Sequence, residues 1–128
     1  MPRSKPLAGR CILVLEDEPL VAMLLQDLLL DLGTQVAGPV SSLPEAVALL
    51  AQGGIAGALL DVNLRGTMSY PLADALRAEG VPFLFVTGYG PEDLDPAFRD
   101  DPLIRKPIDV RRFQEMVTSV ISRDAMAG

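Results

Sequence analysis

The stretch CILVLEDE, residues 11–18, sets an uninterrupted apolar run directly before three acidic residues. Two further apolar runs follow at residues 55–60 and 83–86, and residues 34–38 and 102–105 are weaker candidates of the same kind. Short apolar runs without alternation are typical of strands that are covered on both faces, as in a parallel sheet. The sequence therefore predicts five parallel strands.

Segments with helical spacing separate these runs. Helices are predicted over residues 19–32, 42–52, 69–79 and 109–123, with Ser42 and Asp109 as caps and Glu45 in the capping-box position. In the first helix, the apolar spacing predicts one buried side, which we expect to hold Leu20, Met23, Leu24, Leu28 and Leu32.

The segment 90–101 is the exception to this regular pattern. Pro96 would stop a helix there after about one turn, so we expect a short or irregular fourth helical element. The alternation as a whole predicts an α/β fold, a doubly wound parallel sheet with helices on both faces and right-handed crossovers. In such sheets, ligands bind beyond the carboxyl ends of the strands, where the strand order reverses.

Length and composition narrow the function classes. The 128 residues fit one domain, and we expect no linker, no output domain and no signal peptide or membrane span, in a cytoplasmic protein. A net charge of −6 argues against direct binding to nucleic acid or to an anionic membrane. Because the chain has no histidine, it excludes a catalytic triad, a histidine metal site and a histidine phosphocarrier. Its single cysteine, Cys11, excludes an internal disulfide or a thiolate metal site.

Acidic residues follow two of the predicted strands. Glu16 and Asp17 come directly after the first strand, and Asp61 ends the third. We expect these carboxylates to meet at the sheet edge, where they repel one another unless a divalent cation lies between them. Oxygen ligands alone favour Mg²⁺ or Mn²⁺ over zinc. Glu18 is not assigned to the site, because charge balance at a helix N-terminus accounts for one acid.

The other two strand ends carry a hydroxyl and a cation. Thr87 precedes Gly88 after the fourth strand, which leaves its oxygen open to a ligand or simply marks a turn. Lys106 precedes Pro107 after the fifth strand, where it serves either as a counter-charge to the acids or as the partner of a phosphoryl oxygen.

With these residues in place, the sequence resembles the response-regulator receiver family over about residues 10–123. The resemblance implies a flavodoxin-like fold with strand order 2-1-3-4-5 and a phosphoryl group accepted on Asp61. It also implies that Glu16 and Asp17 bind Mg²⁺ (or Mn²⁺), together with Asp61 and the backbone carbonyl of Asn63. Thr87 would be the switch hydroxyl and Lys106 the phosphoryl-binding lysine, with a cis Lys106-Pro107 bond.

The motif FVTGY, residues 85–89, is similar to that of the FAT GUY subgroup, with valine in place of alanine. That resemblance implies a histidine kinase of the HWE type as partner. The chain departs from the family pattern in two places. Leu103 stands where an aromatic switch residue is usual, and LRG at residues 64–66 replaces the usual Met-Pro.

Three other interpretations of the residues stay open. A pseudo-receiver that serves only as an interaction module would have lost the acceptor aspartate, an acid or the lysine, and this chain keeps all of them. A phosphohydrolase with an aspartate nucleophile usually carries two aspartates in D-x-D spacing after its first strand, where this chain has Glu16-Asp17. A flavodoxin-like cofactor binder would need a phosphate-binding loop with glycines, which is missing at residues 16–18.

Overall fold

A five-stranded parallel sheet forms the centre of the molecule. The computed structural model describes residues 7–127, with side chains to residue 122. The strands in chain order are β1 (Cys11–Leu15), β2 (Gln35–Val40), β3 (Gly57–Asp61), β4 (Asn63–Leu64), β5 (Thr67–Met68), β6 (Phe83–Thr87) and β7 (Leu103–Arg105). The central sheet has the order β2-β1-β3-β6-β7, and β4 pairs with β5 in a separate hairpin. Counted within the sheet this is the order 2-1-3-4-5, so the predicted fold is confirmed.

Four helices cover the sheet: α1 (Pro19–Asp31), α2 (Leu43–Ala51), α3 (Tyr70–Ala78) and α4 (Val110–Ala127). Helices α2 and α3 pack on one face and α1 and α4 on the other, because successive strand residues point to opposite faces. Leu13 and Leu60, for example, face α2 and α3, whereas Val14 and Leu59 face the other pair. Within residues 7–127, no helix is both long and apolar enough to cross a membrane.

The helix starts follow the predicted capping chemistry. Ser42 Oγ accepts a hydrogen bond from the backbone N–H of Glu45 and donates one to the Glu45 carboxylate. Asp109 Oδ1 accepts a hydrogen bond from Arg112 N, which caps α4. Ser69 precedes α3, but its buried hydroxyl makes no capping bond. Both predicted caps therefore act through their side chains.

The predicted buried side of α1 was wrong for three of its five residues. Leu20, Met23 and Leu24 are exposed, and the helix instead buries Ala22, Leu25, Leu28 and Leu29. Because α1 is apolar around most of its circumference, more than one helical phase fits its sequence. Packing against the sheet, rather than hydrophobic spacing, selects the buried side.

Strand β2 begins at Gln35 and runs to Val40, two residues beyond the predicted end at 38. It contains a cis Gly38-Pro39 bond and a break in register opposite Leu13 and Leu15. A proline is tolerated here because β2 lies at the edge of the sheet. Gly38 has φ +100, and a Cβ atom there would lie 2.7 Å from Val40 N and 3.0 Å from the Val14 carbonyl oxygen.

The segment 90–101 forms two short 3₁₀ turns, Pro91–Asp93 and Pro96–Phe98, in place of a regular helix between β6 and β7. The predicted irregular element is therefore confirmed. Leu94 and Phe98 anchor the segment in the core, where Phe98 stacks on Tyr70 with ring centroids 4.6 Å apart. The Tyr70 hydroxyl accepts a hydrogen bond of 3.0 Å from Asp95 N.

Candidate functional site

The carboxyl ends of β1 and β3 bring the predicted acids together. These strands are neighbours, with Leu15 paired to Leu60, so Glu16 and Asp61 leave the sheet side by side. Both residues are buried, whereas Glu18 is exposed and Asp17 intermediate. One carboxylate oxygen from each of Glu16, Asp17, Glu18 and Asp61 lies within 4.8 Å of the others.

Lys106 reaches this acidic cluster from the end of β7. Its Nζ lies 2.7 Å from Glu18 Oε1, 3.1 Å from Glu16 Oε1 and 3.5 Å from Asp61 Oδ2. The Lys106-Pro107 peptide bond is cis, as expected. The lysine therefore acts as a counter-charge to the cluster and lies beside the predicted phosphoacceptor.

The cluster changes the pKa values of both partners. Burial away from water, together with a hydrogen bond and repulsion from Glu16, raises the pKa of Asp61 to about 8, although Lys106 opposes the rise. Burial lowers the pKa of Lys106, but Glu18, Asp61 and Glu16 more than offset it, so that pKa is raised. One lysine thus leaves the charge of the acids incompletely balanced.

The donor set fits a hard divalent cation. Glu16 Oε1 is buried and receives no hydrogen bond in the described part of the chain, although the Lys106 ammonium is 3.1 Å away. All four side chains offer oxygen atoms, which are the ligands that Mg²⁺, Mn²⁺ and Ca²⁺ prefer. The acidic cluster therefore has the composition of a divalent metal site.

An open cleft of about 760 Å³ surrounds the cluster and contains the remaining predicted site residues, Asn63 and Thr87. Thr87 is buried at the end of β6, and its Oγ1 accepts a hydrogen bond of 3.1 Å from Tyr89 N. The Asn63 side chain accepts a hydrogen bond of 2.6 Å from Gly66 N. The metal-binding role of the Asn63 backbone carbonyl stays a prediction.

Two residues at the cleft were missing from the predicted site. Glu18 forms the shortest contact of Lys106, and Arg65 Nε lies 3.7 Å from Asp17 Oδ2. Arg65 and Gly66 form the turn of the β4–β5 hairpin, both with positive φ. An X-Gly pair between two short segments is a hairpin signal, but two-residue strands carry too little pattern to reveal one.

Comparison with known proteins agrees with this geometry, although no family model matches the chain. SdrG from Sphingomonas melonis Fr1 is 41% identical, with a TM-score of 0.78 over 89% of this chain and 96% of that one. The BeF3-activated conformation of SdrG is also similar, with a TM-score of 0.73 over 87% of this chain and 98% of that one. A CheY-like receiver domain from Methylobacillus flagellatus is 27% identical, with a TM-score of 0.74 over 88% and 98% of the two chains.

The phyllosphere-induced regulator PhyR of Methylorubrum extorquens is 33% identical over 115 residues, which cover 86% of this chain. The chain spans 43% of the length of PhyR. These similarities extend over 86–89% of this chain. The chain therefore belongs to the response-regulator receiver family, as the receiver domain of a two-component response regulator.

Proposed function

We propose that Asp61 accepts a phosphoryl group from a histidine kinase and that the phosphorylated form changes partner binding. The position of Asp61 carries this proposal: its carboxylate lines an open cleft, 3.5 Å from Lys106 Nζ and among three other carboxylates. A nucleophile beside a cation and a candidate metal site has the elements that phosphoryl transfer needs. The SdrG structure in a BeF3-activated conformation supports the same chemistry for this 41% identical chain.

Glu16, Asp17, Asp61 and the backbone carbonyl of Asn63 would hold Mg²⁺, which Mn²⁺ could replace. When bound, the ion supplies positive charge that offsets the repulsion between carboxylates and phosphoryl oxygens. Burial and repulsion from Glu16 raise the pKa of Asp61 to about 8, so the cluster disfavours the ionised carboxylate and a bound cation would favour it. Only the ionised carboxylate is a nucleophile, so metal binding and activation of Asp61 are linked.

In the transfer step, one Asp61 oxygen attacks the phosphorus of the kinase phosphohistidine in line. The new O–P bond forms as the N–P bond breaks, and the electron pair of the N–P bond stays with the imidazole nitrogen. Lys106 pairs with one phosphoryl oxygen. The Thr87 hydroxyl, which accepts a hydrogen bond from Tyr89 N, would donate its proton to another phosphoryl oxygen. Attack by water on the phosphorus later releases phosphate and restores the Asp61 carboxylate.

The hydrogen bond between Thr87 and Tyr89 offers a route from the cleft to segment 90–101. The added phosphoryl charge biases Thr87 and Tyr89, and Tyr89 leads directly into that segment. The water that attacks the phosphorus would pass between Tyr89 and Asn63, and Tyr89 is 45% exposed to solvent. Both residues would therefore tune the lifetime of the phosphorylated form. Leu103 occupies the usual aromatic switch position, so a relay through Tyr89 would replace that switch.

A histidine kinase of the HWE type is the partner we propose, on the strength of the FVTGY motif at residues 85–89. The chemistry is proposed for the cytoplasm, for a single receiver domain within residues 1–128. A pseudo-receiver is the alternative function, and intact Asp61 and Lys106 weigh against it. A phosphohydrolase differs in turning over many substrate molecules, whereas a receiver takes up one phosphoryl group per chain.

The Asp61→Asn variant tests the assignment. Incubation with acetyl phosphate and Mg²⁺, followed by intact-mass measurement, should show one added phosphoryl group on the wild type and none on this variant. Asp74→Asn is the matched control, since Asp74 is an exposed aspartate on α3 away from the cleft. Normal labelling of the Asp61→Asn variant would falsify the acceptor assignment.

A further inference from the structure

Arg65 lies in the turn of the β4–β5 hairpin, and this turn lines the cleft. Its φ of 53° lies in the left-handed region, and Gly66 follows with a φ of 94°. The bond from Gly66 N to Asn63 Oδ1, 2.6 Å long, braces the turn. Turns of this geometry favour asparagine or aspartate before the glycine. A long cationic side chain is therefore held at a position whose backbone does not favour it.

The guanidinium group of Arg65 points at the acidic cluster. Its Nε lies 3.7 Å from Asp17 Oδ2, and 83% of the Arg65 side chain is exposed. Exposed ion pairs of this kind contribute little to folding, because solvent screens them. Stability therefore does not explain why this turn contains an arginine. The position of Arg65 at the cleft entrance points to a role in the binding of ions that enter the cleft.

Among the three acids that would bind the metal, Asp17 has the most exposed side chain. Its side chain is 11% exposed, against 8% for Asp61 and 0% for Glu16. Arg65 and a divalent cation would therefore interact with the same carboxylate. Two cations cannot share it without repulsion, so each lowers the affinity of the other.

We propose that Arg65 is a tethered cation that competes with the divalent ion for Asp17 and, once displaced, attracts the anionic phosphoryl donor at the cleft entrance. This inference rests on the proposed function, since it requires that Asp17 bind the metal. It assigns opposite effects to one charge: the arginine weakens metal binding and strengthens anion binding.

Loss of this charge should therefore change the two affinities in opposite directions. Arg65→Gln should tighten Mg²⁺ binding by roughly two- to fivefold at low ionic strength, and added salt should shrink the difference through screening. At saturating Mg²⁺, the same variant should bind beryllofluoride more weakly by a similar factor. Arg65→Lys keeps the charge and should restore most of the wild-type behaviour on both counts.

Calorimetric titration with MgCl₂, at low and high salt, measures the first effect without any activity assay. Arg111→Gln is the matched control, because Arg111 is an exposed arginine on α4 that pairs with Glu115 away from the cleft. The inference predicts a lower dissociation constant for the Arg65→Gln variant and the wild-type constant for the Arg111→Gln variant. An Arg65→Gln variant that binds Mg²⁺ like the control, or more weakly, overturns it.

The Asp17→Asn background separates this inference from the proposed function. With Asp17 neutral, Arg65→Gln should change Mg²⁺ affinity less than it does in the wild type, because the shared carboxylate is gone and only direct repulsion between the two cations remains. An undiminished effect there would mean that Arg65 does not act through Asp17 and would overturn the competition. A wild-type protein that binds no Mg²⁺ overturns the metal site and the inference together. A wild type that binds Mg²⁺, with no effect of Arg65, overturns the inference alone.

Discussion

The acidic cleft and the segment 90–101 lie next to each other but differ in how well their polar and charged groups are balanced by contacts within the protein. In the cleft, four carboxylates crowd around Lys106, and the pKa of Asp61 rises to about 8 because burial and Glu16 disfavour its charge. In the segment, polar groups are satisfied by contacts within the protein, as Tyr70 shows by accepting a hydrogen bond from Asp95 N. The cleft leaves carboxylate charge that a bound cation would balance, whereas the segment is held by contacts within its own chain.

Arginines hold the segment at both ends. Arg99 donates to the carbonyl oxygens of Leu94 and Glu92, which ties the first 3₁₀ turn to the second. Arg77 of α3 binds Asp101 through two hydrogen bonds of 3.2 and 2.6 Å, and its guanidinium lies near the Phe98 ring. In this protein, the residues that stabilise the fold and the residues of the acidic cleft therefore lie only a few positions apart in the sequence.

The largest expected effect comes from removing the anchor of the segment. Phe98→Ala should lower the free energy of unfolding by about 3–4 kcal/mol, because a buried ring stacked on Tyr70 is lost and a cavity remains. Urea unfolding measures this loss. If the two regions are independent, Mg²⁺ affinity at low urea should stay at the wild-type value. A large loss of Mg²⁺ affinity in the folded variant would break the distinction between the regions.

The next effect concerns the cleft and its dependence on pH. Because the folded pKa of Asp61 is raised from 3.8 to about 8, its contribution to stability is present below pH 3.8 and is lost as pH rises to 8. Asp61→Asn removes this penalty. Without divalent ions, the free energy of unfolding of the variant should exceed that of the wild type by a few kcal/mol at pH 8, and the difference should close toward pH 4.

Thermal unfolding in a chelating agent, from pH 4 to pH 8, tests that expectation. Saturating Mg²⁺ should reduce the advantage of the Asp61→Asn variant at pH 8, since the ion stabilises the ionised wild-type cluster by binding to the folded state. An advantage that grows toward low pH would show that the acids do not repel one another as described.

The smallest expected loss of stability comes from removing one oxygen atom that holds the segment in place. Tyr70→Phe deletes the acceptor for Asp95 N and should cost about 1 kcal/mol, measured by urea unfolding. Amide exchange at Asp95 should increase, while Mg²⁺ affinity stays unchanged. Tyr89→Phe is the comparison variant, because the Tyr89 ring is exposed and its hydroxyl carries no comparable bond in the described residues. Equal stability losses in the two variants would argue against the Tyr70 contact.

The residues of the cleft could be predicted from sequence because the sheet topology brings the carboxyl ends of the strands, and the side chains that follow them, to one edge. Once Asp61 ends a buried strand next to the strand that precedes Glu16, the two carboxylates must meet. The buried side of α1 could not be predicted in the same way, since Leu20 and Leu25 have the same apolarity and only packing distinguishes them. Arg65 was missed because the hairpin that positions it has strands of only two residues.

The segment 90–101 lies between these cases. Pro96 correctly predicted an interruption, but nothing local indicated that Tyr70, 25 residues before Asp95, would bond to its backbone. Contacts between residues so far apart depend on the completed sheet. Sequence patterns therefore predict the position of functional side chains more readily than the long-range contacts that hold a loop in place.

The central claim is that Asp61 is the residue that carries the phosphoryl group. Borohydride reduces an aspartyl phosphate to homoserine, so reduction after incubation with acetyl phosphate and Mg²⁺, followed by peptide mass spectrometry, locates the acceptor directly. Homoserine is expected at position 61 and at no other aspartate. Homoserine at another aspartate, or an unmodified position 61 in phosphorylated protein, would contradict it.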